Sequence, residues 1–207
     1  MPNAIRSITN ATKYLLSPSN TRVPIRVLCP YKKWFNNPLI PDFGRWHFNE
    51  GMKFGDKSIW WIREALRKEP HNGIDYYRYT SKNGCDRSIM AGTKIANIYD
   101  GEIAAITDDL ICSSVFVRHN IFSKGSQFYM IFGHLEVNEG LKEKDIVNEG
   151  AILGEVAEVP QGSHAYPHLH LSMAWLPKNY PQSLMNWQNI DKRFFINPLQ
   201  VFHRDIK

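Results

Sequence analysis

The apolar positions of this chain follow two patterns that change over near residue 92. Beyond that point they come in short runs rich in Val, Ile, Phe and Tyr, at 93–106, 114–119, 127–135, 151–159 and 168–175, punctuated by Gly101, Gly125, Gly140, Gly150 and Gly162. Runs of this length bounded by turn formers read as strands, and their spacing predicts an antiparallel sheet or sandwich. Ahead of residue 92, Asp56 or Ser58 offers an N-cap to Ile59, Trp60, Ile62 or Arg63, and Leu66, with charged residues between. That spacing predicts a short amphipathic helix ending before Pro70 and delivering the chain to His71. A sparser helical spacing joins Leu184, Trp187, Ile190 or Asp191, and Phe194, before Asn197-Pro198.

The first 50 residues read differently. Pro2, Pro18, Pro24, Pro30, Pro38 and Pro41, half of the twelve prolines, argue against helix or central strand there. Trp34, Phe35, Phe43 and Trp46 are too many aromatics for a solvated linker. Residues 1–50 are therefore expected to form an irregular arm, a candidate flap, docked on a domain over 51–207. A length of 207 residues suits one such core. The expected fold class is mainly β, an antiparallel sheet or sandwich with a few short helices.

A hydrophobic content of 43% and a charged content of 22% exclude a disordered, collagen-like or coiled-coil chain. Cys29, Cys85 and Cys112 form no CxxC pair, which argues against a disulfide framework and a cysteine-built zinc site. The net charge of +5 favours a polyanionic partner: nucleic acid, an anionic membrane or a bacterial wall polymer. Basic residues stand in pairs such as Lys32-Lys33 and Arg67-Lys68 rather than in runs, so a specific nucleic-acid partner is not expected. No stretch approaches the ~18 apolar residues of a membrane-spanning helix. Met1 to Asn20 holds only a Leu15-Leu16 pair where a secretory segment carries about 7–15 apolar residues, so no signal peptide is visible.

The eight histidines carry the candidate chemistry. In Pro167-His168-Leu169-His170-Leu171 the strand period of two projects both imidazoles from one face, a metal-site geometry that two exposed neighbours on a sheet also produce. In His71-Asn72-Gly73-Ile74-Asp75 a histidine and a carboxylate flank a glycine that permits a tight turn; a solvated turn has the same look. Phe132-Gly133-His134-Leu135 puts a third histidine at an apolar strand end, where a half-buried, hydrogen-bonded ring is the plain alternative.

Taken in chain order, with Gly92-Thr93, Asp100-Gly101 and Glu149-Gly150-Ala151-Ile152-Leu153-Gly154 between them, these motifs make residues 70–176 resemble the lysostaphin-type (LytM-type) zinc metallopeptidases, which cut peptide cross-links of bacterial peptidoglycan. The resemblance implies His71, Asp75 and His170 as ligands of one zinc ion, with His168 and His134 as catalytic histidines. Two neutral imidazoles and one carboxylate leave zinc cationic, enough to lower the pKa of a bound water toward ~7. The resemblance further implies a peptidoglycan peptide as substrate and a periplasmic or cell-wall location. Departures lie in the long link from Tyr76 to Arg87, in Tyr166 ahead of Pro167 and in Ser172-Met173; they bear on which bond is cut. The resemblance also implies, from latent members in which an upstream asparagine fills the fourth zinc position, that the arm could be an inhibitory flap, with Asn36, Asn37 and Asn49 as candidates. A non-catalytic wall-binding module on the same scaffold is the alternative, although such modules usually lack ligands that this chain keeps. A lipoyl- or biotinyl-carrier barrel would need a lysine between hydrophobic residues at a hairpin tip, which is missing here. His47, His119, His164 and His203 are expected to be ordinary.

Overall fold

The longest ladder of the fold is the hairpin of β7 (Ser113–Ser123) and β8 (Ser126–Val137). Its two-residue turn, Lys124-Gly125, has both φ angles positive (48° and 80°), the backbone twist that two-residue hairpins require. The computed structural model describes Ile40 and residues 42–202. The expectations for Pro41, for Trp34, Phe35, Asn36 and Asn37, for Cys29 and for His203 fall outside the described residues.

Around this hairpin the other strands are added antiparallel. These are β5 (Lys94–Ala96), β6 (Gly101–Asp108), β9 (Ile146–Val147), β10 (Ile152–Val156), β11 (Leu169–Pro177) and β12 (Phe195–Ile196), with β2 (Ile74–Tyr76) beside β11. The strand order is β12-β11-β8-β7-β6-β9, with β10 bridging β8 and β5. A separate three-stranded sheet has the order β1-β3-β4, from β1 (Phe43–His47), β3 (Arg78–Ser81) and β4 (Asp86–Ser88). The only α-helix among the described residues is α1 (Pro198–Phe202). The fold is mainly β, as the strand spacing predicts, although the run at 93–106 is broken into β5 and β6 by a turn.

Both faces of the large sheet are buried, and strand alternation sorts the side chains. Phe128, Met130 and Phe132 of β8 share one core with Leu169, Leu171, Met173 and Trp175 of β11, closed by Phe43, Tyr79, Ile95 and Leu153. Tyr129, Ile131, Ala174 and Leu176 point the other way, into a core closed by Tyr180, Met185, Ile190 and Phe194. His170 and Ser172 stand on this second face by the same period.

Three sequence expectations need correction. Residues 56–66 are not helical: they form a loop closed by a Ser58–Leu66 bridge, with Ile59 N–H on the Ala65 carbonyl and Glu64 at φ 60°. The Asp56 carboxylate accepts the amides of Gly51 and Lys53, so it closes the preceding turn rather than capping a following one. The 184–194 segment holds two 3-10 turns, Gln182–Leu184 and Lys192–Phe194, instead of a helix, because Asp191 accepts the Arg193 amide and Trp187 is held on Ser114. Within the expected irregular arm, Phe43–His47 is a strand, and Phe43 and Trp46 pack on Tyr79 and Tyr76.

Replacing Phe132 by Ala removes a ring that is 0% exposed and is expected to cost about 3–5 kcal/mol in urea unfolding. Ile146→Ala, at a side chain 73% exposed, is expected to change stability by less than about 0.5 kcal/mol.

Candidate metal centre

Strand pairing brings the first set of site residues together. β11 lies between β2 and β8, so His170 stands opposite Asp75 on one side and Gly133 on the other. His71 arrives from the turn before β2, four residues ahead of Asp75. The glycine between them is needed for close approach rather than for turning. A Cβ at Gly73 would lie 2.5 Å from the Leu171 carbonyl and from Ser172 Oγ, and 2.7 Å from His170 Nε2, while the Gly73 φ is not positive.

Three atoms converge: His71 Nε2, Asp75 Oδ1 and His170 Nδ1. The separations are 3.1 Å between His71 and Asp75, 2.8 Å between His170 and Asp75, and 3.1 Å between the two imidazole nitrogens. In a tetrahedral zinc site with bonds of about 2.0–2.2 Å, ligand atoms stand roughly 3.3–3.6 Å apart, so each edge of this cage is short by only about 0.2–0.8 Å. The other polar atom of each side chain is already engaged. His71 Nδ1 donates to the Lys53 carbonyl at 3.0 Å, and His170 Nε2 donates to Ser172 Oγ at 3.0 Å. Ser172 Oγ in turn donates to the Asn72 carbonyl. Asp75 Oδ2 accepts from Trp60 Nε1 at 2.8 Å and from Arg67 at 3.3 Å. These contacts fix both tautomers and leave three lone pairs facing one point, the donor set that a divalent cation satisfies. Burial raises the Asp75 pKa, but the neighbouring His71, His168 and His170 rings outweigh it and hold the carboxyl well below the usual range. Burial pushes His170 down to about 4.

Two more imidazoles flank the cage. His168 is 0% exposed, roofed by the rings of Trp60 and Trp61. Its Nδ1 donates to the Tyr166 carbonyl at 2.7 Å, so the unprotonated nitrogen is Nε2, which lies 3.6 Å from Asp75 Oδ1 without a hydrogen-bond partner among the described residues. Burial pushes His168 down to about 4.

His134 reaches the same place by a different device. Phe128, Met130 and Phe132 face the first core, so an unbroken strand would turn residue 134 into it as well. Instead Leu135 is in that core, and the β7–β8 register shifts between Ser113 and Val115. The bulge at Gly133-His134 puts the His134 ring on the His170 face, 4.7 Å from the His168 ring and 5.8 Å from the His170 ring. His134 has φ 65°, a conformation that costs a non-glycine residue about 1–3 kcal/mol.

Sequence reasoning missed four residues here. Asp109 accepts from His134 Nδ1 at 2.9 Å and from the His134 amide at 2.8 Å. Trp187 places its ring against His170 and donates Nε1–H to Ser114. Trp60 and Arg67 were absorbed into the expected helix. The signal for Asp109 was a polar Asp-Asp pair ending an apolar run; nothing in the sequence marks the other three. Of the other described histidines, His119 is buried with Nδ1 on the Asp100 carbonyl, His47 meets Thr80, and His164 is exposed. Cys85 is exposed and Cys112 partly buried, both unpaired. Asn49 is exposed and outside the cleft, of about 790 Å³, that opens onto His71, Asp75, His134 and His170.

Burial raises the Asp109 pKa, but the His134 ring and the Ser114 hydroxyl hold its carboxyl far below the ordinary range. A carboxylate depressed in the folded state stabilises it above the unfolded pKa of about 4 and loses that contribution as pH falls further. The urea midpoint is therefore expected to drop below about pH 4, with a shallower drop in Asp109→Asn, read from unfolding curves at successive pH values.

No family model and no curated protein matches the chain. Among solved structures it is similar to the catalytic domain of the antimicrobial peptidase lysostaphin from Staphylococcus simulans, at 16% identity and TM-score 0.49, over 81% of this chain and 94% of that one. It is similar to LytU at 16% identity and TM-score 0.49, over 76% of this chain and 85% of that one. A zinc-containing peptidase from Vibrio cholerae is similar at 14% identity and TM-score 0.44, over 75% of this chain but 39% of the other.

Proposed function

We propose that the chain is a zinc-dependent endopeptidase that hydrolyses peptide cross-links of bacterial peptidoglycan. The observation that carries this reading is the cage of His71 Nε2, Asp75 Oδ1 and His170 Nδ1 in the wall of one cleft, with the His134 ring in the same wall and the His168 ring packed against it. The order of the motifs along the chain supports it.

A zinc ion held by those three residues would supply Lewis acidity toward a water and a scissile carbonyl. The protein's own groups do the proton work. His168 keeps its Nδ1 hydrogen on the Tyr166 carbonyl and offers Nε2 to take the water proton and return it to the departing amine. His134 orients the water or, when protonated, stabilises the oxyanion formed as the carbonyl is attacked. Trp60 and Trp61 over His168 keep bulk water from its ring. The net charge of +5 favours attraction to anionic wall polymers, weakening with salt, which fits a periplasmic or cell-wall location. No described helix is long and apolar enough to cross a membrane.

His168→Ala is expected to keep one zinc per chain and lose turnover by about 10²–10⁴-fold, whereas His170→Ala or Asp75→Ala loses the metal, read by metal analysis after dialysis. Digestion of purified peptidoglycans with and without chelator, with the released termini identified by mass spectrometry, tests the reading itself. New termini that appear only without chelator are expected. No cleavage of any wall type overturns the endopeptidase and leaves a wall-binding module.

A further inference from the structure

Asp109 is held by more donors than a turn needs. Its Oδ1 accepts the amides of Ile111 and Cys112, which closes the turn between β6 and β7, and its side chain is 3% exposed. Three further bonds serve something else. The His134 ring donates to Oδ1, the His134 amide donates to Oδ2, and Ser114 Oγ donates to Oδ2 at 2.5 Å. The direction of the last bond is determined by the neighbour beyond it. Trp187 Nε1 can only donate, so Ser114 Oγ accepts from it at 2.7 Å and must point its own hydrogen at Asp109.

Two bonds from one histidine to one carboxylate restrain two freedoms at once. The amide bond holds the left-handed backbone at φ 65° that the bulge demands. The ring bond blocks the flip that would exchange the two edges of the imidazole. With Nδ1 committed to Asp109, the nitrogen that exchanges a proton is Nε2, on the opposite side of the ring, which bonds no described residue. The ring lines the cleft beside His168.

We infer that Asp109 is a positioning residue: it fixes His134 with the hydrogen on Nδ1 and Nε2 free for substrate, and Ser114 and Trp187 lock Asp109 in turn. The inference rests on the peptidase reading for its kinetic consequence and on geometry alone for the tautomer. An aspartate that only closed the turn would leave the His134 ring free.

The test uses full-length zinc-loaded protein and two readouts. In the wild type, long-range proton–nitrogen NMR of His134 is expected to show a protonated Nδ1 and an unprotonated Nε2 at mildly alkaline pH, and Asp109→Asn is expected to populate the other tautomer. On a soluble cross-linked muropeptide, Asp109→Asn is expected to lower kcat on the order of 10²–10⁴-fold, as when the aspartate behind a catalytic histidine is amidated, with KM within about twofold and zinc content unchanged. A wild-type His134 protonated on Nε2, or averaging between tautomers, overturns the inference without any variant having to fold. So does an Asp109→Asn protein that keeps the wild-type tautomer and kcat, or one that loses kcat together with its zinc. A wild type that cleaves no muropeptide overturns the peptidase reading, and the tautomer measurement still decides the part played by Asp109.

Discussion

The burial of the Asp75 carboxylate is the constraint around which the site side of the molecule is arranged. At 1% exposure an unpaired carboxylate would cost several kcal/mol, so both oxygens must be met by donors. Oδ2 is met by the Trp60 indole and the Arg67 guanidinium. Oδ1 faces three imidazoles and is left for a cation. The loop at 56–66 bends as it does because Trp60 and Arg67 have to reach this one carboxylate from a segment that a helix would have carried straight past it.

The parts of the fold that could be read from the sequence are those with a local signal. The runs that become β6, β7, β8, β10 and β11 are stretches rich in Val, Ile, Phe and Tyr, and glycine marks the turns after β7, β8 and β10, whereas Asp109 closes the turn after β6. The spacing of His168 and His170 could be read for the same reason, since two residues on one strand share a face whatever the fold. The short strands β1, β2 and β4 could not, because three to five residues hold no period of their own and are ordered by their partners. The helical reading of 56–66 failed for a related reason: Ile59, Trp60 and Leu66 have helical spacing, but Leu66 is 70% exposed and Trp60 is drawn to a charge. Of the site, the cage residues could be read as pairs, whereas Asp109, Ser114 and Trp187 are joined only after β6, β7 and the 182–194 segment have been folded together.

The bulge at Gly133-His134 shows how a strand too apolar to display a polar group can still do so. β8 is buried on both faces, and its alternation would send residue 134 into the first core with Phe132. One extra residue reverses the parity, so that Leu135 takes the core position and His134 the site position. Gly133 lets this happen beside His170, since a Cβ there would stand 3.3 Å from Ser114 Oγ and 3.4 Å from His170 Cβ. The ladder resumes at once, with the Ala157 amide on the His134 carbonyl.

Arg67 ties the covering loop to the cage. Its guanidinium bonds the carbonyls of Gly51 and Ser58 as well as Asp75, so the chain from 51 to 67 and the cage carboxylate share one cation. Opening that loop strips Asp75 of two of its donors and uncovers His168 in the same event, which makes local unfolding and loss of the donor set a single cooperative transition. By thermodynamic linkage, whatever occupies the cage holds the loop shut, and the loop's opening equilibrium limits how tightly the cage can hold its occupant.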